Sequence, residues 1–215
     1  YQRFGRGMEN STVTRELPEG DEAAEAAGSC RTMRADARRN YEKLLAAARE
    51  EFAAEGGGAS MEAVARKAGV GVGTLYRHFP KRIDLVQAVY EDDVDELVET
   101  AQHVVAELEP WPAVAAFLDA FVRYARSKRT FLNELREAFD KDPAMRSRLR
   151  ERIDDATELV IGRAQRAGAI RPDVDGADLT QLLGPMCTNP TLTDDQSVRL
   201  LPMILDGLRA GRDVG

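Results

Sequence analysis

The sequence has few of the residues that catalysis and metal binding require. Its 215 residues include two cysteines, Cys30 and Cys187, and two histidines, His78 and His103. Two distant cysteines provide neither a disulfide framework nor the ligand spacing of a zinc site. No Ser/His/Asp arrangement, glycine-rich phosphate loop or telling pair of carboxylates is found. We therefore expect no enzyme activity, no metal ion and no cofactor.

Long apolar segments are also missing. No run approaches the roughly 18 apolar residues that a membrane-spanning helix needs. The N-terminal segment carries no apolar core of a signal peptide, so we expect a cytoplasmic protein without membrane association. Because Tyr1 stands where an initiator methionine would be, we expect Met8 to be the native start and residues 1–7 to be vector-derived. The 25 arginines against 5 lysines indicate a GC-rich, bacterial genome.

Charge is distributed unevenly along the chain. The formal net charge of −7 argues weakly against a nucleic-acid-binding protein. Residues 31–90, however, hold 11 basic and 7 acidic side chains, whereas residues 91–215 hold 16 basic and 24 acidic ones. Such asymmetry indicates two roles, one of them at a polyanion, although random scatter of surface charge is the alternative. The acidic part would repel DNA, so that only the basic part would dock on it.

Helical periodicity dominates the chain after a polar start. Residues 1–30 are rich in glycine and acidic residues with almost no apolar periodicity, which predicts a disordered tail. From Arg34 onward apolar residues recur at helical spacing, and no strand alternation is found, so we predict an all-α fold. We predict irregular structure at residues 184–195. The predicted helices lie near 34–55, 60–68, 72–79, 81–109, 113–128, 131–139, 143–167, 176–183 and 196–210.

Two short helices near the start indicate a DNA-binding motif. Ser60 is a good N-cap for the first, which ends at Gly69, and Pro80 ends the second. Two short helices joined by a turn of about three residues form a helix-turn-helix. In that motif the second helix enters the major groove. A purely structural helical corner is the alternative interpretation of this spacing.

The residues of this motif resemble a known family. The segment SMEAVARKAGVGVGTLYRHFPKRIDL, residues 60–85, is similar to the DNA-binding domain of tetracycline-repressor-like (TetR family) regulators, most strongly in AGVGVGTLYRHFP. The segment LLAAAREEF, residues 44–52, resembles the first helix of that domain. The resemblance implies a three-helix helix-turn-helix domain at residues 31–80. It further implies a larger helical effector-binding and dimerisation domain at residues 81–215, in a homodimeric repressor.

The resemblance places residues 72–78 on the recognition helix. Thr74, Arg77 and His78 are then candidates for contacts to base edges or to the groove. Arginine can pair bidentately with guanine, and threonine can contact a thymine methyl group. Gly73 permits a close approach of the backbone to DNA, and tight helix packing is the alternative reason for a glycine there.

Contacts to the DNA backbone are expected from flanking residues. Tyr76 resembles the family tyrosine that contacts phosphate, with half-buried packing as the alternative. Ser60 could bind phosphate or only cap its helix. Gly71 stands where many members have a hydroxyl residue. Lys81 and Arg82 replace the usual Ser/Thr-Lys sequence, and we expect both to contact phosphate because arginine suits phosphate at least as well as lysine.

The later helices carry large or polarisable side chains that could surround a small-molecule effector. For each of them, simple burial in the core is the alternative. The predicted ligand-binding residues are Trp111, Phe117, Phe121, Tyr124, Phe131, Met186 and Cys187.

The last two predicted helices are rich in leucine. They offer more apolar surface than a terminal hairpin needs, which predicts a four-helix interface with a second chain. A symmetric dimer implies a pseudo-palindromic double-stranded DNA operator. The alternative functions are a small-molecule or partner-binding protein with a vestigial DNA module, and a helical enzyme. The intact GTLYRHF sequence, residues 73–79, argues against a vestigial module because packing alone does not require exposed Thr, Arg and His.

Overall fold

The computed structural model describes residues 20–189 and 191–209, with side chains from Ala35 onward except at positions 57, 194, 197 and 198. In these residues the fold is helical, as predicted, and strand pairing is confined to an isolated bridge between Ile170 and Arg209. None of the described helices is both long enough and apolar enough to cross a membrane.

The described part of the chain contains nine α-helices and two short 3₁₀ turns. The turns are Gly56–Gly58 and Lys128–Phe131. The helices are α1 (Gly20–Glu55), α2 (Met61–Ala68), α3 (Val72–His78), α4 (Arg82–Glu107), α5 (Pro110–Ser127), α6 (Leu132–Lys141), α7 (Pro143–Arg166), α8 (Gly176–Thr188) and α9 (Asp194–Leu208).

The start of α1 differs from the sequence prediction. The helix begins at Gly20, whereas the apolar periodicity predicts a tail to residue 30 and a helix from Arg34. Residues 20–33 are rich in alanine and glutamate, which favour a helix without producing an apolar stripe. The rest of the predicted tail, residues 1–19, lies outside the described residues. The chain divides into two compact units after Arg39, and all contacts discussed below lie in the unit that begins at Asn40.

Local signals explain how α2 and α3 are delimited. The Ser60 hydroxyl accepts a hydrogen bond from the Ala63 backbone N–H at 3.1 Å, which caps α2. Gly69 ends α2 with φ of 65°, the left-handed conformation that glycine adopts without cost. Gly71 begins α3 without a side-chain cap. Leu75 is fully buried and anchors α3 to the core.

The remaining helices pack around a shared apolar core. Helix α4 packs against α5, α6 and α7, and α8 packs against α5 and α7. Phe117, Phe121, Ile161 and Leu183 are among the side chains that fill the space between them. This arrangement brings the middle of α4 opposite the end of α5, where the candidate ligand site lies.

The prediction of irregular structure at residues 184–195 is wrong for residues 184–188, which are helical. Helix α8 continues to Thr188 and contains Pro185 within it. A proline inside a helix removes one backbone hydrogen bond. Cys187 is buried against the core, and this packing stabilises the last turn of the helix.

Candidate nucleic-acid interface and ligand cavity

One face of α3 is open to solvent. Val72, Gly73, Tyr76 and Arg77 are exposed, whereas Leu75 is fully buried on the opposite face. This division follows from the helical repeat, since residues three and four apart share a face. The exposed face is therefore available to a partner, and it contains Gly73, Tyr76 and Arg77, three of the eight residues predicted to contact DNA.

Gly73 lies in open space on this face. A β-carbon added at Gly73 would meet no described atom within 4 Å. Tight packing against a neighbouring helix is therefore not the reason for a glycine in the described structure. The bare backbone at this position favours the first interpretation, a close approach of another molecule.

The cationic and polar candidates on α3 differ in exposure. Arg77 and Lys81 are exposed, and the described residues give neither side chain an ion-pair partner. Thr74 and His78 are half-buried. The His78 ring makes an edge contact with Tyr41 on α1, with ring centroids 5.9 Å apart. The side chains of Arg77 and Lys81 can thus reorient to contact a ligand, whereas the His78 ring also packs against Tyr41.

Tyr76 and Ser60 have internal partners in this structure. The Tyr76 hydroxyl donates a hydrogen bond to Glu62 Oε1 at 3.1 Å and so bridges α3 to α2. This bond to Glu62 raises the pKa of Tyr76 above its usual value. Ser60 caps α2, as described above. Both residues remain at the exposed surface, so their contacts with phosphate stay predictions.

Arg82 is placed differently from Lys81. Its guanidinium donates hydrogen bonds to the backbone oxygens of Ala59 and Gly56 and lies 3.3 Å from Glu134 Oε1 on α6. It also lies 5.0 Å from the centroid of the Phe52 ring. Arg82, at the start of α4, therefore connects this helix to the segment at the end of α1 and to α6. These internal partners could not be predicted from the sequence. Its predicted contact with phosphate would have to compete with these internal bonds.

The structure does not bring the seven predicted ligand-binding residues into one site. Phe117, Phe121 and Cys187 are buried core residues. Trp111 is half-buried and lies beneath the Arg209 guanidinium, which is 4.4 Å from the ring centroid. Phe117, Phe121 and Cys187 thus occupy the core, and a contact of these residues or of Trp111 with a ligand stays a prediction.

A cavity lies beside the remaining aromatic candidates. Its volume is about 270 Å³, just below the range of about 300–1,000 Å³ that is typical of small-molecule sites. Tyr124 and Phe131 line it, whereas Met186 does not. Residues of α1, α4 and α5 form the other walls: Arg49, Ala53, Val89, Asp93, Glu96, Leu97, Thr100, Ala120, Arg123 and Ser127.

Charged residues connect the wall of this cavity to α1. Arg49 on α1 pairs with Asp92 and Asp93 on α4, with N–O distances of 2.5 Å for both pairs. The ammonium group of Lys128 also pairs with Asp93 and lies 4.4 Å from the centroid of the Tyr124 ring. Burial lowers the pKa of Lys128 despite this pairing. The α1 residues Arg49 and Ala53 could not be identified as cavity residues from sequence, because their contacts join distant segments.

Comparisons with known proteins agree with this architecture. Residues 44–89 match the family described as bacterial regulatory proteins of the tetR family, and residues 109–210 match the C-terminal domain of SbtR-like transcriptional regulators. The crystal structure of the TetR transcriptional regulator SCO0520 from Streptomyces coelicolor is 36% identical, with a TM-score of 0.70. The match covers 79% of this chain and 98% of that one. This chain belongs to the TetR family of transcriptional regulators.

Two further transcriptional regulators are similar to this chain. The TetR transcription regulatory protein from Mycobacterium vanbaalenii is also 36% identical, with a TM-score of 0.67, over 83% of this chain and 99% of that one. The HTH-type transcriptional regulator UidR from Escherichia coli strain K12 is 26% identical over 70% of this chain and 79% of its own. The chain is accordingly a DNA-binding transcriptional regulator rather than an enzyme, as the sequence predicts.

Proposed function

We propose that this TetR-family regulator is a homodimeric repressor that a small molecule releases from a pseudo-palindromic operator in the bacterial cytoplasm. Residues 31–80 would bind DNA, and residues 81–215 would bind the effector and form the dimer. The observation that carries the DNA-binding part is the open face of α3. A bare backbone at Gly73 there lies next to an exposed arginine, Arg77.

The readout of DNA would combine two kinds of contact. Arg77, with Thr74 and His78 beside it, would contact base edges, because an arginine fork matches the acceptors of guanine in the major groove. Ser60, Tyr76 and Lys81 would hold the DNA backbone, which positions the helix without reading sequence. Arg82 would also contact the DNA backbone, in competition with its internal bonds to Ala59, Gly56 and Glu134.

Exposed apolar residues on α8 and α9 support a dimer. Leu182 on α8 is 52% exposed, and Met203 on α9 is 67% exposed. Burial of such side chains against a second copy removes apolar surface from water, which stabilises the association. A two-fold axis through these helices would present two copies of α3 to successive turns of one operator.

The cavity supports regulation by a small molecule. An occupant could favour one of two dimer arrangements provided that it binds them with different affinity. The cavity is bounded by α1 as well as by α4 and α5, so an occupant would contact a helix of the DNA-binding domain directly. The core residues Phe117, Phe121 and Cys187, together with Trp111 and Met186, would then support the site rather than line it.

Selection of duplexes from a randomised library by the full-length protein tests the DNA-binding proposal. We expect one enriched, pseudo-palindromic sequence, and a logarithm of affinity that falls with the logarithm of salt concentration by about 0.9 per neutralised phosphate. A vestigial DNA module would enrich no sequence at any salt concentration. That result would favour the alternative of a small-molecule or partner-binding protein.

Light scattering tests the dimer. Leu182→Glu and Met203→Glu should convert a dimeric mass into a monomeric one, because each places a charge in the proposed interface. Val72→Glu is the matched control, since Val72 is an exposed apolar residue on α3 and its replacement should leave the mass unchanged. A dimeric mass for both α8 and α9 variants would contradict the proposed interface.

A further inference from the structure

We propose that the cavity between α1, α4 and α5 binds a small amphipathic anion whose acidic group pairs with Arg49 and Arg123. The proposal rests on the proposed function, because it names the chemical class of the effector for that site. It also assigns Arg49 as the residue through which the effector reaches the DNA-binding domain.

The hydrogen-bond donors on the cavity wall are only partly used. Arg49 donates through Nε to Asp93 and through Nη2 to Asp92, which leaves its Nη1 without a described partner. Arg123 donates through Nη1 to Asp119, which leaves Nε and Nη2 without one. Guanidinium groups bind carboxylates and related anions through two parallel hydrogen bonds. Arg123 can form such a pair through Nε and Nη2, whereas Arg49 can donate from Nη1 and gives two bonds only if it leaves one of its aspartate partners.

The acceptors on the same wall offer less to a cation. Both oxygens of Asp93 are used, one by Arg49 and the other by Lys128. Glu96 is the other carboxylate of the cavity, and its side chain is 75% exposed with Arg49 Nη2 3.8 Å away. A ligand cation would thus meet one carboxylate whose two oxygens are both used, whereas Glu96, with 75% of its side chain exposed, is about as exposed as Arg123, with 65%.

The rest of the wall is apolar. Val89 and Leu97 are buried side chains of α4, and Phe131 is a buried side chain of the turn after α5. Ala120 and the ring of Tyr124 complete this surface. A ligand with a compact apolar body would pack against these side chains and bury its own apolar surface there, whereas a small inorganic anion has no such surface to bury. The chemistry of the wall therefore matches an aromatic or branched organic acid.

The proposed ligand would compete for an arginine of α1. Arg49 is held to α4 by Asp92 and Asp93, so an acidic group that recruits Arg49 weakens the connection between these two helices. Because α1 is the first helix of the DNA-binding domain and α4 belongs to the effector domain, this competition would link occupancy of the cavity to the position of that domain. By linkage, DNA binding would change the affinity for the anion by the same factor.

Two fluorescent probes that share a framework test the charge of the ligand. 8-Anilinonaphthalene-1-sulfonate carries a sulfonate, and N-phenyl-1-naphthylamine has the same aromatic rings without it. We expect the sulfonate probe to bind the full-length protein at least about tenfold more tightly, because a charge-assisted hydrogen bond contributes that much. Ala120→Phe should abolish binding of both probes by filling the cavity. Equal affinity for the two probes, or binding that Ala120→Phe leaves intact, would overturn the proposal.

Variants of the charged wall residues test the assignment. Arg123→Gln should weaken binding of the sulfonate probe by about five- to tenfold and leave the neutral probe unchanged. Glu96→Gln should strengthen binding of the sulfonate probe about twofold, because it removes a negative charge that repels the sulfonate. Arg136→Gln, on an exposed arginine of α6 outside the cavity, is the matched control and should change neither. If Glu96→Gln weakened binding of the sulfonate probe, the cavity would be a cation site and the assignment would be wrong. Unchanged affinity of Arg123→Gln for the sulfonate probe would also exclude the assignment.

DNA release by the sulfonate probe tests the role of Arg49. The probe should lower the affinity for the selected duplex in the wild-type protein and should lose this effect in Arg49→Lys, which keeps the charge but loses the fork. Release that is undiminished in Arg49→Lys would show that another residue transmits occupancy. If the protein binds no DNA, the proposed function fails, whereas the two-probe measurements still decide the ligand class.

Discussion

The ammonium group of Lys128 and the carboxylate of Asp93 form a buried ion pair between the turn after α5 and the middle of α4. Their side chains are 3% and 11% exposed, respectively. Asp93 also accepts a hydrogen bond from Arg49 Nε on α1 at 2.5 Å. One carboxylate thus pairs with two cations from two other elements, and this carboxylate lies at the wall of the candidate ligand cavity.

This arrangement makes Asp93 more important for stability than Lys128. Asp93→Asn leaves a buried ammonium group without its counter-charge, and we expect a loss of about 3–5 kcal/mol in the free energy of unfolding. Lys128→Met leaves Asp93 paired with Arg49, so this variant should lose less unfolding free energy than Asp93→Asn. Urea denaturation of the two variants measures both effects. Equal losses would show that Arg49 does not compensate for the missing lysine.

The same lysine should make stability depend on alkaline pH. Burial lowers the pKa of Lys128 in the folded protein below its ordinary value of 10.5. Between the lowered pKa and 10.5 the unfolded chain binds more protons than the folded one, so the contribution of Lys128 to stability rises with pH in that window. The unfolding free energy of the wild type relative to Lys128→Met should therefore increase toward pH 10.5. A difference that stays constant with pH would contradict the lowered pKa.

Arg77 and Lys81 should have separable effects on DNA binding. Arg77→Ala removes a proposed guanine contact from each subunit, so it should cost about 1–3 kcal/mol for each half-site of the selected operator and relax the choice of base at one position in each half-site. Lys81→Gln removes a proposed phosphate contact from each subunit, so it should weaken all sequences alike and reduce the salt slope of the dimer by about 1.8, which is about 0.9 for each subunit. Fluorescence anisotropy on a set of operator variants measures both. Identical profiles for the two variants would refute the division of roles.

Arg82 should matter for the fold before DNA is added. Arg82→Lys keeps the charge but cannot reproduce the fork that reaches Ala59, Gly56 and Glu134. We expect Arg82→Lys to lower the melting temperature measured without DNA, by about 2–4 °C for each kcal/mol of unfolding free energy that is lost. Glu134→Gln should have a smaller effect, because the backbone contacts remain. An unchanged melting temperature together with weaker DNA binding would assign Arg82 to phosphate alone.

Gly56 should not tolerate a side chain. Its φ is 55°, and an added β-carbon would lie 2.9 Å from the backbone oxygen of Thr130. Gly56→Ala should therefore destabilise the protein by more than about 1 kcal/mol, because both the backbone conformation and the contact oppose it. Gly58→Ala is the matched control, since a β-carbon there meets nothing within 4 Å. Urea denaturation that shows equal stabilities for the two variants would contradict this account.

Some features were accessible from sequence because their signals are local. The Ser60 cap, the left-handed Gly69 and the apolar spacing around Leu75 define α2 and α3 within a few residues of chain. The exposed face of α3 follows from the same periodicity. The start of α1 was missed because a helix rich in alanine and glutamate needs no apolar stripe.

The candidate ligand site could be predicted only in part. An aromatic residue on an amphipathic helix gives the same pattern whether it fills the core or lines a cavity. Phe117 and Phe121 therefore could not be distinguished from Tyr124 and Phe131. Arg49 carried no signal of its own, since its carboxylate partners are more than forty residues away in the chain.

The sequence by itself determined that this protein is an all-α, TetR-family regulator with a short exposed helix near residues 72–78. Capping, glycine turns and helical periodicity act over a few residues, and the family pattern is a continuous segment. Only the tertiary structure decided that Arg82 bonds internally and that Lys128 and Arg49 share Asp93. It also decided that the cavity borders α1. Burial and ion pairing depend on which distant segments meet in space, and that is set by packing of the whole core.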